Sequence, residues 1–256
     1  MKATRSKMKR ASDAERKARA IPPAYTDAMI AVDVTADLQA TAITPAGKTA
    51  YFYSKAFIER QVAAKWKRVA AVTKRIDSIA AKVEADSEAG ISEALTIRLI
   101  LQTGMRNGGK KQGKLDAFGA SSIRIEHMPK MEEGDSEISL AFPGKKGVAQ
   151  AFTVKDPVLA RHAFRRQQEK AETLFEHTAA DTLRYLRSVG GPKIKVHDLR
   201  TWYANVLAEA LVAKMLTDDL TMKKLKKAVA TEVASKLGNT PSMALKAYIN
   251  PKVFGE

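Results

Sequence analysis

The period of the apolar residues changes once along this chain, at Tyr53, and that change constrains the fold more than any other feature. Before it, AMIAVDV, LQATAIT and TAYFY are short β-prone runs separated by the turn formers of DVTAD and TPAGK. From Lys55 onward Ile58, Val62, Trp66, Val69, Val72, Ile76, Ile79 and Val83 fall at steps of three and four, the spacing of one helix face. Strands and then helices give an α+β fold. The expected layout is a basic N-terminal arm over 1–20, a small β-rich domain over 21–54, and a mainly α domain with a three-stranded antiparallel sheet over 55–256.

Within the last region the pattern gives one long helix from Lys55 to about Val83, broken by EADSEAG. ISEALTIRLILQTG then resumes as a largely apolar helix running into the basic loop MRNGGKKQGK, a place to present an arginine. Three segments alternate as strands: SSIRIEHM (Ile123, Ile125), SEISLAF (Ile138, Leu140, Phe142) and VAQAFTV (Phe152, Val154). The link PGKKG makes a tight tip from which Lys145 and Lys146 project. Helices follow over about 157–170, 178–189, 198–216 and 220–237, with a short one from Pro241.

Charge narrows the function. The chain has 44 Lys+Arg against 28 Asp+Glu, a formal net charge of +16. A field of that sign suits a polyanion, and nucleic acid gains salt-sensitive affinity from each phosphate a cation covers. There are no cysteines, which removes thiol nucleophiles, disulfides and Cys-based zinc sites. No GxxxxGK[ST], HExxH, GxSxG or tight pair of carboxylates is present, so nucleotide-driven and metal-hydrolytic chemistry lose their usual signatures. The first 20 residues carry eight Lys/Arg and two Asp/Glu with no apolar run behind them, and cytoplasmic residence without a membrane is the expectation. What remains is Arg106, Lys145 and Arg200 at element ends, and Tyr248 on a terminal helix.

Four segments then carry a family resemblance: IPPAYTDAMIAVDVTADLQATAITPAGKTAYFY, FPGKKG, HDLRTWYANVLA and LGNTPSMALKAYINP. In this order and spacing, from about residue 20 to the C-terminus, the chain resembles bacterial and poxvirus type IB DNA topoisomerases. The resemblance implies a monomer that clamps double-stranded DNA and works without nucleotide, metal or other cofactor. The region 21–54 becomes its DNA-clamping domain and 55–256 its catalytic domain. Tyr248 matches the nucleophile that forms a 3′-phosphotyrosyl link, and a phenol, with an ordinary pKa of about 10, needs an electrostatically prepared site. Arg106 and Arg200 match two arginines whose forks donate to the non-bridging oxygens. Lys145 matches the general acid that protonates the departing 5′ oxygen, with Lys146 as its neighbour and competitor. Asn239 stands where many members carry histidine; its amide donates a hydrogen bond but does not titrate near neutrality. Tyr51, Tyr53, Lys146 and His197 are the residues expected against the DNA.

Two departures keep other readings open. His197 replaces the usual lysine and makes an H-D-L-R string similar to tyrosine recombinases, which share the catalytic domain. The N-terminal region is also short for the family. A tyrosine recombinase or integrase is therefore the alternative enzyme, and a non-catalytic DNA-binding protein on the same fold is the alternative of a different class.

Overall fold

The computed structural model describes residues 3–108, 117–216 and 220–255. Its contacts divide the chain into two compact units, Met1–Lys67 and Arg68–Glu256.

The first unit is built on an antiparallel sheet of β1 (Met8–Arg10), β2 (Thr26–Ala31), β3 (Leu38–Ile43) and β4 (Thr49–Tyr53), in that order. A short helix, α1 (Asp13–Ala18), lies between β1 and β2; Ser12 and Glu15 close a capping box at its start. Cross-strand register separates the two faces. Lys9, Ile30, Ala40 and Phe52 oppose one another on one face, and Arg10, Met29, Thr41 and Tyr51 on the other. The first face packs: Ile30 and Ala40 belong to a small core with Ile21, Ala28 and Ala42, against which Tyr25 and Phe52 rest. Asp37 is buried, accepts a hydrogen bond from Thr4 N (3.0 Å) and pairs with Arg60. Residues 8–10, inside the stretch read as an arm, thus supply a fourth strand, and this unit reaches Lys67 rather than ending at 54.

The helix α2 (Lys55–Thr73) starts in the first unit. The second unit holds α3 (Ile76–Glu88), α4 (Ser92–Thr103), the hairpin β5 (Glu137–Pro143) and β6 (Ala149–Lys155), and α5 (Pro157–Gln168), α6 (Ala179–Gly190), α7 (Val196–Met215), α8 (Met222–Leu237) and α9 (Pro241–Ala247). Its main core is built around α4, whose Leu95, Ile97, Leu99 and Ile100 are all buried because apolar residues cover most of the helix circumference. A second core joins α7, α8 and α9 through Ala204, Ala208, Val229, Val233, Leu237 and Ala244. No helix among the described residues is long and apolar enough to cross a membrane.

Two expectations need correction. The long helix from Lys55 is two helices, interrupted at Lys74 and Arg75, where Arg75 takes φ −117°, ψ 3° and donates to Gly190 O (3.2 Å). The apolar spacing runs through the break in phase, from Val72 to Ile76, so periodicity did not mark it. SSIRIEHM is not a strand, and the sheet has two strands instead of three. Its residues form 3₁₀ turns at Ala120–Ser122 and Ile125–His127, with a single bridge from Arg124 to Thr173. Here Arg124 N–H donates to the ring Nδ1 of His127 (3.1 Å), a local bond that competes with a ladder. The loop after Thr103 is described as far as Gly108; its remaining lysines lie outside the described residues.

Candidate active site

Four helix or hairpin ends supply the site. The helix α4 ends at Gly104, which takes φ +63° and would put a Cβ 2.5 Å from the Tyr203 ring, so glycine is required both by conformation and by space. Arg106 follows two residues later. Its carbonyl accepts from Ala120 N (2.7 Å), and Asn107 O accepts from Ser121 N (2.7 Å) and Ser121 Oγ (2.6 Å). This close approach depends on Gly119, where a Cβ would stand 2.4 Å from Gly108 N and 2.5 Å from Arg106 O. Phe118 N donates to Pro143 O (2.9 Å), tying the same segment to the end of β5, beyond which Lys145 projects from the exposed hairpin tip.

Arg200 lies on α7 and is 2 % exposed. Its Nη1 donates to Gly104 O and its Nη2 to Leu237 O, both at 2.6 Å. These carbonyls sit at the C-terminal ends of α4 and α8, where partial negative charge gathers and a buried guanidinium is stabilised. Each also stands two residues before a candidate site residue, Arg106 and Asn239. Burial pulls the Arg200 pKa below the ordinary arginine value; the Tyr248 phenol opposes this and the charge of Arg106 adds to it. An arginine remains charged throughout.

Tyr248 closes α9 and is 3 % exposed, its ring 5.1 Å from the Arg200 guanidinium carbon and 5.4 Å from the His197 ring. Asn205, one and a half turns after Arg200 on α7, holds the backbone around it. The amide donates to Tyr248 O (2.8 Å) and Thr201 O (2.6 Å) and accepts from Asn250 N (2.8 Å). Asn239 follows the αL glycine that ends α8, and its Oδ1 accepts from Arg106 Nη2 at 3.3 Å.

Arg106, Lys145, Lys146, His197, Asn239 and Tyr248 all line one cleft of about 680 Å³. Arg200 lines an adjoining hollow that shares Arg106, Lys145 and His197 with it. Five buried side-chain polar atoms lack a protein partner among the described residues, and three belong to this region: Arg200 Nε, Asn239 Nδ2 and Asn107 Oδ1. Two of the three are donors, suited to an anion's oxygens. Tyr51 and Tyr53 belong to the first unit, on the face of β4 opposite its core, 52 % and 38 % exposed, with rings stacked 6.5 Å apart.

Residues 54–252 match the family model described as eukaryotic DNA topoisomerase I, catalytic core. The chain belongs to the type IB DNA topoisomerase family. It is 23% identical over 254 residues to DNA topoisomerase 1B of Acanthamoeba polyphaga mimivirus, covering 90% of this chain and 75% of the viral one. Among solved structures, XerH site-specific recombinase bound to palindromic difH substrate in a post-cleavage complex aligns with a TM-score of 0.44 at 17% identity, over 69% of this chain and 48% of that one. XerH in its pre-cleavage complex aligns with a TM-score of 0.41 at 16% identity, over 72% and 49%. The chain thus spans about half the length of the recombinase chains.

Within this type IB chain, sequence reasoning passed over Asn205 and Gly119. An asparagine in the apolar helical text WYANVLAEAL was the available signal for the first, since a buried amide there must find partners. Nothing local marked Gly119, whose role depends on the approach of a segment eleven or more residues earlier. Chemically, the arrangement offers a phenol, two guanidiniums, an amide and a hairpin ammonium around one cleft and the hollow beside it.

Proposed function

We propose that this chain relaxes supercoiled double-stranded DNA by cutting one strand through Tyr248, letting the free end rotate about the intact strand, and resealing the break. The observation that carries the reading is the cleft shared by Arg106, Lys145, Asn239 and Tyr248, flanked by Arg200, with Arg200 Nε and Asn239 Nδ2 buried and unpartnered. A buried donor left without an acceptor costs about 1–3 kcal/mol. Two such donors beside one cleft are accounted for by the oxygens of a phosphodiester.

In the cycle, the Tyr248 oxygen attacks phosphorus and loses its proton to solvent, while the bond to the 5′ oxygen breaks. Lys145 supplies the proton that the 5′ oxygen takes up. Arg106, Asn239 Nδ2 and the free donor of Arg200 hold the non-bridging oxygens, where charge grows in the transition state. One phosphodiester is exchanged for another, so the cut reverses without ATP, and torsion in the DNA sets the direction of rotation. The 5′ hydroxyl then attacks the phosphotyrosine and returns its proton to Lys145, while the bond to the Tyr248 oxygen breaks and the phenolate takes up a proton from solvent. His197, beside the Tyr248 ring, and Lys146 contact the flanking backbone, and Tyr51 and Tyr53 contact the duplex.

The test is relaxation of a supercoiled plasmid in EDTA without partner sites, together with trapping by denaturant. The wild-type protein relaxes the plasmid and leaves a covalent protein–DNA band; Tyr248→Phe does neither. A wild-type protein without the band would reject the catalytic reading, and cleavage that required paired sites would turn it towards a recombinase.

A further inference from the structure

We infer that β1 is a phosphate-contacting strand: Arg10 extends the open sheet face of Tyr51 and Tyr53 and covers one phosphate of the duplex. This rests on the reading of the chain as an enzyme of double-stranded DNA. The register places the residue. Arg10 opposes Met29, Met29 opposes Thr41, and Thr41 opposes Tyr51, and directly paired residues share a face. Phe52 and Ile30 occupy the other face, in the core, so the Arg10 row is the outward one. Arg10 and Tyr51 are exposed, while Met29 and Thr41 between them are half-buried.

The two cations of β1 differ in state. Lys9, on the core-side face, is tied to Glu15 at 2.8 Å. Arg10 has no ion pair or hydrogen bond from its guanidinium among the described residues, although an acidic helix start lies three residues away. A strand holds its side chains with less freedom than a disordered arm, so an unpaired guanidinium there is already positioned for an anion. The row crosses three inter-strand spacings, about 14 Å, which is close to the roughly 12 Å width of the DNA major groove. Stacked tyrosines at one end and a guanidinium at the other are then spaced to reach opposite sides of that groove.

The experiment measures binding of a duplex oligonucleotide to the full chain across a salt series, for wild type, Arg10→Ala, Arg10→Lys and Lys9→Ala. Covering one phosphate contributes about 0.9 to the slope of log K against log salt. Arg10→Ala lowers the slope by about that amount, which removes about threefold of the affinity change between about 50 and 200 mM salt. Arg10→Lys keeps the slope, as does Lys9→Ala, and Lys9→Ala also leaves single-turnover cleavage at saturating protein unchanged. An unchanged slope in Arg10→Ala, or an equal fall in Lys9→Ala, overturns the assignment. Loss of the covalent band in wild type would instead overturn the catalytic reading and leave this slope measurement intact.

Discussion

At the scale of single residues, Arg200 has two tasks that compete for one guanidinium. Both of its terminal nitrogens brace helix ends, so the proposed cycle has only its remaining donors to place on the phosphate. Lysine carries the charge but cannot bond two carbonyls in a fixed fork. Arg200→Lys is therefore expected to lower single-turnover cleavage by about 10²–10³-fold and stability by about 1–3 kcal/mol, read by denaturant melts. A variant that lost cleavage at full stability would separate the two tasks and contradict the bracing. Asn239→Ala removes the acceptor of Arg106 and the unpartnered donor together, and should slow cleavage without a comparable loss of stability. Tyr248, Arg200 and Lys145 could be singled out from the sequence because each sits in a dense local context, LKAYINP, HDLRTW or FPGKKG, and the structure brings Tyr248 and Lys145 to one cleft with Arg200 in the hollow beside it. Asn205 was not, because its partners Tyr248 O and Asn250 N lie more than forty residues downstream.

Among elements, the Arg106 loop is held by backbone bonds from Ala120 and Ser121 together with the Ser121 hydroxyl, and Gly119 is the point of closest approach. Alanine there must push Arg106 and Gly108 away. A displacement of the order of 1 Å in a reacting group costs up to about 10²-fold in rate. Gly119→Ala is expected to reduce cleavage by about 10–100-fold while duplex affinity stays within a few-fold; equal cleavage rates would show that the loop accommodates the methyl group elsewhere. The elements themselves were legible where a single period ran for several residues, as in β2 to β6 and α4 to α9. They were misread where two structures share a pattern. Ile123 and Ile125 alternate as a strand would, yet two residues are too few to oppose a local bond from Arg124 to His127. The three residues of β1, Met-Lys-Arg, carry no alternation at all, because an edge strand needs only backbone bonds to join a sheet.

For the whole molecule, the net charge of +16 sets how the enzyme meets and leaves its substrate. Phosphate contacts hold product as firmly as substrate, so at low salt release limits turnover. Multiple-turnover relaxation should rise with salt to an optimum and then fall as binding fails, while resealing of a preformed covalent complex stays flat. A steady decline from the lowest salt would show that release is not limiting. The period of the apolar residues changes at Tyr53, whereas the compact first unit extends thirteen residues into α2, a stretch that includes Arg60, the partner of Asp37. The cationic strand β1 also governs how copies of the chain meet in the absence of nucleic acid. As the terminal strand of its sheet it offers unsatisfied backbone groups to any other strand. With Lys9 and Arg10 on it, a second copy approaching by the same edge brings like charge against like, and growth of the sheet into an aggregate is opposed.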